Sequence, residues 1–200
     1  MAFYENTIVA KQDLAEKELK TLKDKYNEII NKSSGKVIKI EEWGLLNLAS
    51  KIKNYKRGFY IHYKFEGTVN TLYEIEKKIK LDRSIIRHLT VKYKKLDTKN
   101  EFFKNSNWYK MKKNNKRKHK RNNNSINKLS LFQKNDGKFS KKCPLSVKNA
   151  PIVDYKNIGL LKKYISENGK IVSSKITSVS FNKQRRLTRE IKKAKILGLI

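Results

Sequence analysis

Residues 59–65 read Phe59-Tyr60-Ile61-His62-Tyr63-Lys64-Phe65. Aromatic and β-branched side chains, uninterrupted by Gly or Pro, spell a strand. Its neighbours on both sides decide the architecture. Just upstream, Asn54 to Gly58 is polar and turn-like, and before it Val37 to Ile40 alternates with lysine as a strand that runs on to about Leu48. Further out, Asp13 is placed to cap a helix that carries Leu14, Leu19, Leu22, Tyr26, Ile29 and Ile30 close to one face, with Gly35 after its end. Phe3 to Ala10 makes an opening strand. Downstream of 59–65, Val69 to Ile79 sets Leu72, Ile75 and Ile79 on one side of a second helix, and Ile85 to Tyr93 reads as a closing strand.

The resulting order is β-α-β-β-α-β, the split pattern of a ferredoxin-like sandwich. Four strands and two helices supply one two-layer core, so residues 1–97 are expected to fold as an α+β domain. After Asp97 the periodicity disappears until about Gly137. Lys112 to Asn124 reads Lys-Lys-Asn-Asn-Lys-Arg-Lys-His-Lys-Arg-Asn-Asn-Asn, with no apolar residue. Such a run cannot bury enough surface to offset chain entropy, so 98–137 is expected to be a disordered basic linker. Trp108, Tyr109, Leu129, Leu131 and Phe132 are its candidates for local docking. Order returns after Pro144. Asp154 can cap a helix through Asn168, with Ile158, Leu161 and Ile165 as its apolar face and Gly169 as its stop. Ile171-Val172 and Ile176-Thr177 suggest short extended pieces, and a last helix runs from near Ser180 to about Leu197 along a seam of Leu187, Ile191, Ala194 and Gly198. Residues 138–200 are thus a small, mainly helical module with a marginal core, which calls for a partner.

Charge narrows the partner. Residues 1–97 hold 21 Lys/Arg against 13 Asp/Glu, whereas 98–200 hold 28 against 5, out of a net charge of +31 for the 200 residues. A solvated surface accounts for the first imbalance. The second would repel itself unless a polyanion neutralised it, and each phosphate contact also releases condensed counterions. Nucleic acid fits. No stretch approaches the roughly 18 apolar residues that cross a bilayer, and Met1-Ala2-Phe3-Tyr4-Glu5 does not open a secretory signal.

Catalysis finds little support. His62, His88 and His119 lie in two strands and a basic run, without metal-ligand spacing. Cys143 is the sole cysteine, which excludes an internal disulfide and a multi-cysteine metal site. Glu41 and Glu42 are adjacent on a strand, so they point to opposite faces and form no acid/base pair. There is no Gly-rich phosphate loop. No cofactor is expected, and the chain reads as a binding protein.

Two resemblances sharpen this. Phe3-Tyr4-Glu5-Asn6-Thr7-Ile8-Val9-Ala10-Lys11-Gln12-Asp13, Val37-Ile38-Lys39-Ile40-Glu41-Glu42-Trp43-Gly44-Leu45 and Ile85-Ile86-Arg87-His88-Leu89-Thr90-Val91-Lys92 resemble small-subunit ribosomal protein six, a ferredoxin-like family. Cys143-Pro144-Leu145, Asn149-Ala150-Pro151, Val153-Asp154-Tyr155-Lys156, the run Leu160 to Ile171, Lys175-Ile176-Thr177 and Gln184 to Lys195 are similar to small-subunit ribosomal protein eighteen. In those families the two proteins are separate chains that pair and bind the platform of the small-subunit rRNA. The resemblance therefore implies a fusion whose partners are small-subunit rRNA, neighbouring small-subunit proteins and its own other half. It implies a ribosome-bound, cytoplasmic location in a bacterium or an organellar equivalent. The alternative function is a free RNA-binding regulator that recognises a structured messenger element.

The expected RNA contacts centre on the last helix. Arg185, Arg189 and Lys192 fall on one side of its seam, Arg186 and Lys193 on the other, with Lys183 and Lys195 nearby. Arg grips phosphate bidentately and Lys acts as a point charge. Gln184 is a candidate for a base edge or a ribose hydroxyl. Lys156, Lys170 and Lys175 rank second, together with Lys162 and Lys163. In the first domain Arg87 and Lys92 are edge candidates, with Arg57 and His88 beside them. Tyr60 and His62 allow a competing reading, base stacking on an open sheet face, against docking of the second module on that face. Trp43, beside Gly44, is expected to pack.

Overall fold

The computed structural model describes residues 2–97, 102–103, 143–148 and 150–200. The Lys112–Asn124 run, Trp108, Tyr109, His119, Leu129, Leu131 and Phe132 lie outside the described residues. Two compact units emerge. The first gathers the described residues up to Asp97 together with Ile196–Leu199, and the second gathers the remainder.

The first unit runs β1 (Ala2–Lys11), α1 (Glu16–Lys32), β2 (Lys36–Ile52), β3 (Tyr55–Gly67), α2 (Val69–Leu81) and β4 (Ile85–Tyr93). The sheet order is β2-β3-β1-β4 with every neighbouring pair antiparallel. Strand β3 lies between β1 and β2, which is the split of a ferredoxin-like fold. Period-two alternation sends Tyr4, Ile8, Ile61, Tyr63 and Phe65 to the helix side, where they meet Leu22, Tyr26 and Ile30 of α1 and Ile75 and Ile79 of α2. The rings of Tyr4 and Phe65 stack at 5.6 Å. Each such side chain stabilises the unit by about 1.5–3 kcal/mol through burial.

Local details depart from the sequence expectations in three places. Asp13 does not cap α1. Ala15 occupies that position, and its N–H donates to the Glu18 carboxylate at 2.9 Å, which also sets an acid against the positive end of the helix. Gly35 is not the left-handed stop; Ser34 is, with φ 60°. Gly35 instead answers crowding, because a Cβ there would lie 2.8 Å from the Ile30 carbonyl oxygen. The turn expected over 54–58 shrinks to Lys53-Asn54, with φ 47° and 68°. Two left-handed residues in a row match the twist of flanking strands, so Ile52 pairs with Tyr55 across the turn, while the register shifts between that pair and Asn47 opposite Arg57.

The sheet face away from the helices is also buried. Tyr60 is 1% exposed, and Thr7, His62 and Lys64 are 0% exposed. The Lys64 ammonium donates to the Glu41 carboxylate at 2.7 Å and to the Asp97 carbonyl at 2.6 Å. His62 Nδ1 lies 2.8 Å from the Thr7 hydroxyl, and Trp43, itself buried, stacks on the imidazole at 4.9 Å. Base stacking on Tyr60 and His62 is therefore excluded in this arrangement. Residues 196–199 join the unit through three successive carbonyls. Ile196 accepts from the Arg87 guanidinium at 3.0 Å, Leu197 from the Tyr60 hydroxyl at 2.5 Å, and Gly198 from the Ala49 N–H at 2.8 Å. Gly198 has φ +68°, and a Cβ there would stand 3.0 Å from Leu48 and 3.1 Å from Ile52.

The second unit contains α3 (Ile158–Leu161), a 3-10 turn over Lys162–Tyr164, α4 (Ser174–Thr177) and α5 (Phe181–Ile196). The single helix expected over 154–168 is overturned. Asn157, not Asp154, caps it, and after Tyr164 the chain straightens so that Ile165 bridges to Ile171. Gly169, at φ +74°, closes that small hairpin, with Ser166 N–H donating to the Lys170 carbonyl at 2.8 Å. Ile176-Thr177 is helical rather than extended, since the Thr177 hydroxyl and N–H both return to the Ser173 carbonyl.

Candidate nucleic-acid interface

Helix α5 buries Leu187, Ile191 and Ala194 completely. Its lone acid, Glu190, is also buried. Glu190 accepts the Tyr155 N–H at 3.1 Å and pairs with Lys193 at 2.7 Å, so it does not offset the outer charges. Period 3.6 then forces Arg185, Arg186, Arg189, Lys192 and Lys195 outward, and all five are exposed. The Arg185 guanidinium sits 5.7 Å over the Phe181 ring, and Arg189 Nε donates back to the Arg185 carbonyl at 3.4 Å. These contacts restrict the guanidiniums without neutralising them.

The other expected contacts divide. Lys195 donates to the Gly169 carbonyl at 2.6 Å, which ties the hairpin bearing exposed Lys170 to α5. Lys175 is exposed on α4, Lys162 and Lys163 are exposed on the 3-10 turn, and Lys183 is half-buried. Gln184 does not reach outward. Its Nε2 donates to the Val172 carbonyl at 3.0 Å, and its Oε1 is buried. Lys193 is half-buried against Glu190 and the Tyr155 ring. Lys156 departs furthest from expectation. Only 4% exposed, it lies 3.7 Å from Asp154 and 5.5 Å over Tyr155. Its aliphatic stem is packed and its charge is spent internally. On β4, Arg87 faces Val9 and Lys92 faces Tyr4 across the pair, so their side chains leave opposite faces of the sheet. His88 is half-buried, and burial holds its imidazole below the ordinary histidine value.

Sequence reading missed three exposed lysines. Lys51, Lys53 and Lys56 stand with Arg57 at the end of the β2–β3 hairpin. The signal was present, because residues 43–65 contain no Asp or Glu.

Cys143 adds a chemical handle. Burial raises its thiol, but hydrogen bonds from the Ser146 side chain, the Ser180 N–H and hydroxyl and the Leu145 N–H outweigh that and bring it down to about 7. Alkylation by iodoacetamide should therefore rise with a midpoint near pH 7, against roughly 8.5 for a free cysteine. A midpoint at the free-cysteine value would mean that the contact with Ser180 does not form in solution.

Among the described residues no cluster of His, Cys, Asp and Glu could hold a metal ion, and no helix is long and apolar enough to cross a membrane. Comparison with known proteins matches two family models, ribosomal protein S6 over residues 3–92 and ribosomal protein S18 over residues 149–200. The small ribosomal subunit protein bS6 of Pelagibacter ubique is 40% identical over 112 residues, which cover 56% of this chain and 93% of the relative. The bS18 protein of the same organism is 66% identical over 73 residues, covering 36% of this chain and 79% of the relative. A crystal structure of 30S ribosomal protein S6 from Thermotoga maritima has a TM-score of 0.45 at 27% identity, over 46% of this chain and 87% of that one.

Proposed function

We propose a function from one premise: the chain belongs to the ribosomal protein S6 family through residues 3–92 and to the ribosomal protein S18 family through residues 149–200. Both are families of structural, non-enzymatic proteins of the bacterial-type small ribosomal subunit. In the proposed role, one polypeptide supplies both components. Residues 1–97 and 138–200 act as two domains joined by 98–137, dock on each other as an intramolecular S6–S18 pair, and bind small-subunit rRNA at the platform.

The presence of both families in one sequence is the observation that carries this reading. A connection of forty residues spans about 35 Å by random-coil scaling and gives an effective concentration in the millimolar range. RNA binding is supported by the exposed cations of α5, led by Arg185, Arg186 and Arg189. Neutralising phosphates with these groups releases counterions and favours binding at low salt.

The test is sedimentation of the tagged chain from cells that express it. One copy per small-subunit particle is the expected stoichiometry, and the chain should remain on particles washed at moderate salt. Recovery only from ribosome-free fractions would sink the proposal and favour a free regulator of translation.

A further inference from the structure

We propose that the far end of the β2–β3 hairpin is a separate RNA-binding element that grips phosphate backbone, an inference that rests on the RNA-binding role above. Strand β1 ends with Lys11 opposite Gly58, and beyond it β2 and β3 pair only at Asn47 opposite Arg57 and, after a register shift, at Ile52 opposite Tyr55. Residues 47–57 therefore project beyond the four-stranded sheet as a bulged hairpin end. An isolated two-stranded hairpin is marginal in water. This one is braced: Leu46 and Ile52 are 3% and 7% exposed, Gly198 packs tightly on Leu48 and Ile52, and the Ala49 N–H donates to the Gly198 carbonyl.

The arm presents Lys51, Lys53, Lys56 and Arg57, all exposed. No carboxylate among the described residues pairs with any of the four, and Lys11 adds its charge 6.0 Å over the Tyr55 ring at the base. Four cations gathered within residues 51–57 repel one another unless a polyanion lies against them. Beside the arm is an open cleft of about 590 Å³ lined by Gln12, Asp13, Leu45, Asn54, Lys56 and Arg57. The cleft offers both cations and an acceptor: Lys56 and Arg57 can hold phosphates while Asp13 accepts a hydrogen bond from a ribose 2′-hydroxyl, a pairing of groups that RNA presents together.

The test uses the full chain with Lys51, Lys53, Lys56 and Arg57 all changed to Gln, titrated against a small-subunit rRNA transcript at several KCl concentrations. Far-UV circular dichroism should be unchanged. The slope of log affinity against log salt should become shallower by roughly 2 to 3.5, so that raising salt from 50 to 200 mM costs the parent roughly 15- to 130-fold more than the variant. An unchanged slope, in an experiment where changing Arg185, Arg186 and Arg189 does weaken binding, would overturn the arm and leave the ribosomal role standing. A parent chain that ignores rRNA would overturn both. Normal rRNA binding combined with failure to enter small subunits would overturn it in favour of a protein contact. If the variant does not fold, acetylation of the parent decides. Lys51, Lys53 and Lys56 should be shielded by the transcript, and unshielded lysines would overturn the proposal.

Discussion

Changing Arg185, Arg186 and Arg189 together to Ala should weaken binding to small-subunit rRNA by roughly 100- to 1000-fold, or about 3–4 kcal/mol. Three guanidiniums leave the exposed side of α5, while Leu187, Ile191 and Ala194 stay packed, so the helix and its seat survive. Alanine, the best helix former, preserves the backbone at these positions. A hydrogen bond to a charged group contributes about 1.5–3 kcal/mol, and partial solvation in the complex brings three of them below the roughly 4.5 kcal/mol minimum of their sum. The salt slope should fall by about 2.7 if each arginine meets one phosphate of duplex-like RNA. Filter binding across a salt series reads both quantities. A control separates charge from fold: Lys156→Ala, which empties a buried position, should lower the unfolding midpoint and leave the salt slope alone. An intact slope in the triple variant would remove α5 from the interface.

Glu41→Gln should cost the first unit about 3–5 kcal/mol, because it strands the Lys64 ammonium inside the protein. Lys64 is fully buried and the Glu41 side chain is 10% exposed, so water cannot replace the lost partner. The remaining bond to the Asp97 carbonyl solvates the ammonium but does not neutralise it. Replacing both residues, Glu41→Leu with Lys64→Met, should restore most of the loss, since two apolar side chains of similar volume need no compensation. Trp43 fluorescence during urea unfolding, in a Trp108→Phe background, reports the unit directly. A single variant as stable as the parent would show that water reaches the pair. Acid should act in the same direction. Burial raises the Glu41 carboxyl, but the Lys64 hydrogen bond and charge, then His62 and the Trp43 indole, bring it below its ordinary range. Its contribution is thus complete above the unfolded carboxylate value and is lost as pH falls through the lower folded value.

How much of this was legible depended on whether a local pattern has one structural meaning. The first unit was legible because alternation along 59–65 and period 3.6 along 69–79 admit no second reading at that length. Its turn was not, since Lys53-Asn54 carries no glycine to mark the left-handed pair, and the polar residues of 54–58 resembled a loop. In the second unit, Ile158, Leu161 and Ile165 suit one long helix. They equally suit a short helix, a tight turn and a strand that buries Ile165 beside Tyr164. Gly169 marks the turn of that hairpin, yet as a sequence signal it suits a helix stop equally well. The site divided for a related reason. Exposure of Arg185 and Arg189 follows from the helix alone, but the burial of Lys156 depends on Asp154, Tyr155 and the packing around them, which no charge count contains. Lys51, Lys53 and Lys56 read as solvated cations beside a turn until the pairing of β2 with β3 places them at one hairpin end.

The way residues 196–199 complete the first unit has a consequence for biosynthesis. That unit already has high contact order, since Tyr4 pairs with Lys92 and cannot do so until β4 has been made. At about 5–20 residues per second, the ribosome reaches Gly198 a further roughly 5–20 seconds after finishing β4. Throughout that interval the nascent chain lacks the segment that packs on Leu48 and Ile52 and occupies the Ala49 N–H. A half-made molecule therefore carries Leu48 and Ile52 uncovered and the Ala49 N–H unoccupied, a local apolar patch of the kind that chaperones hold.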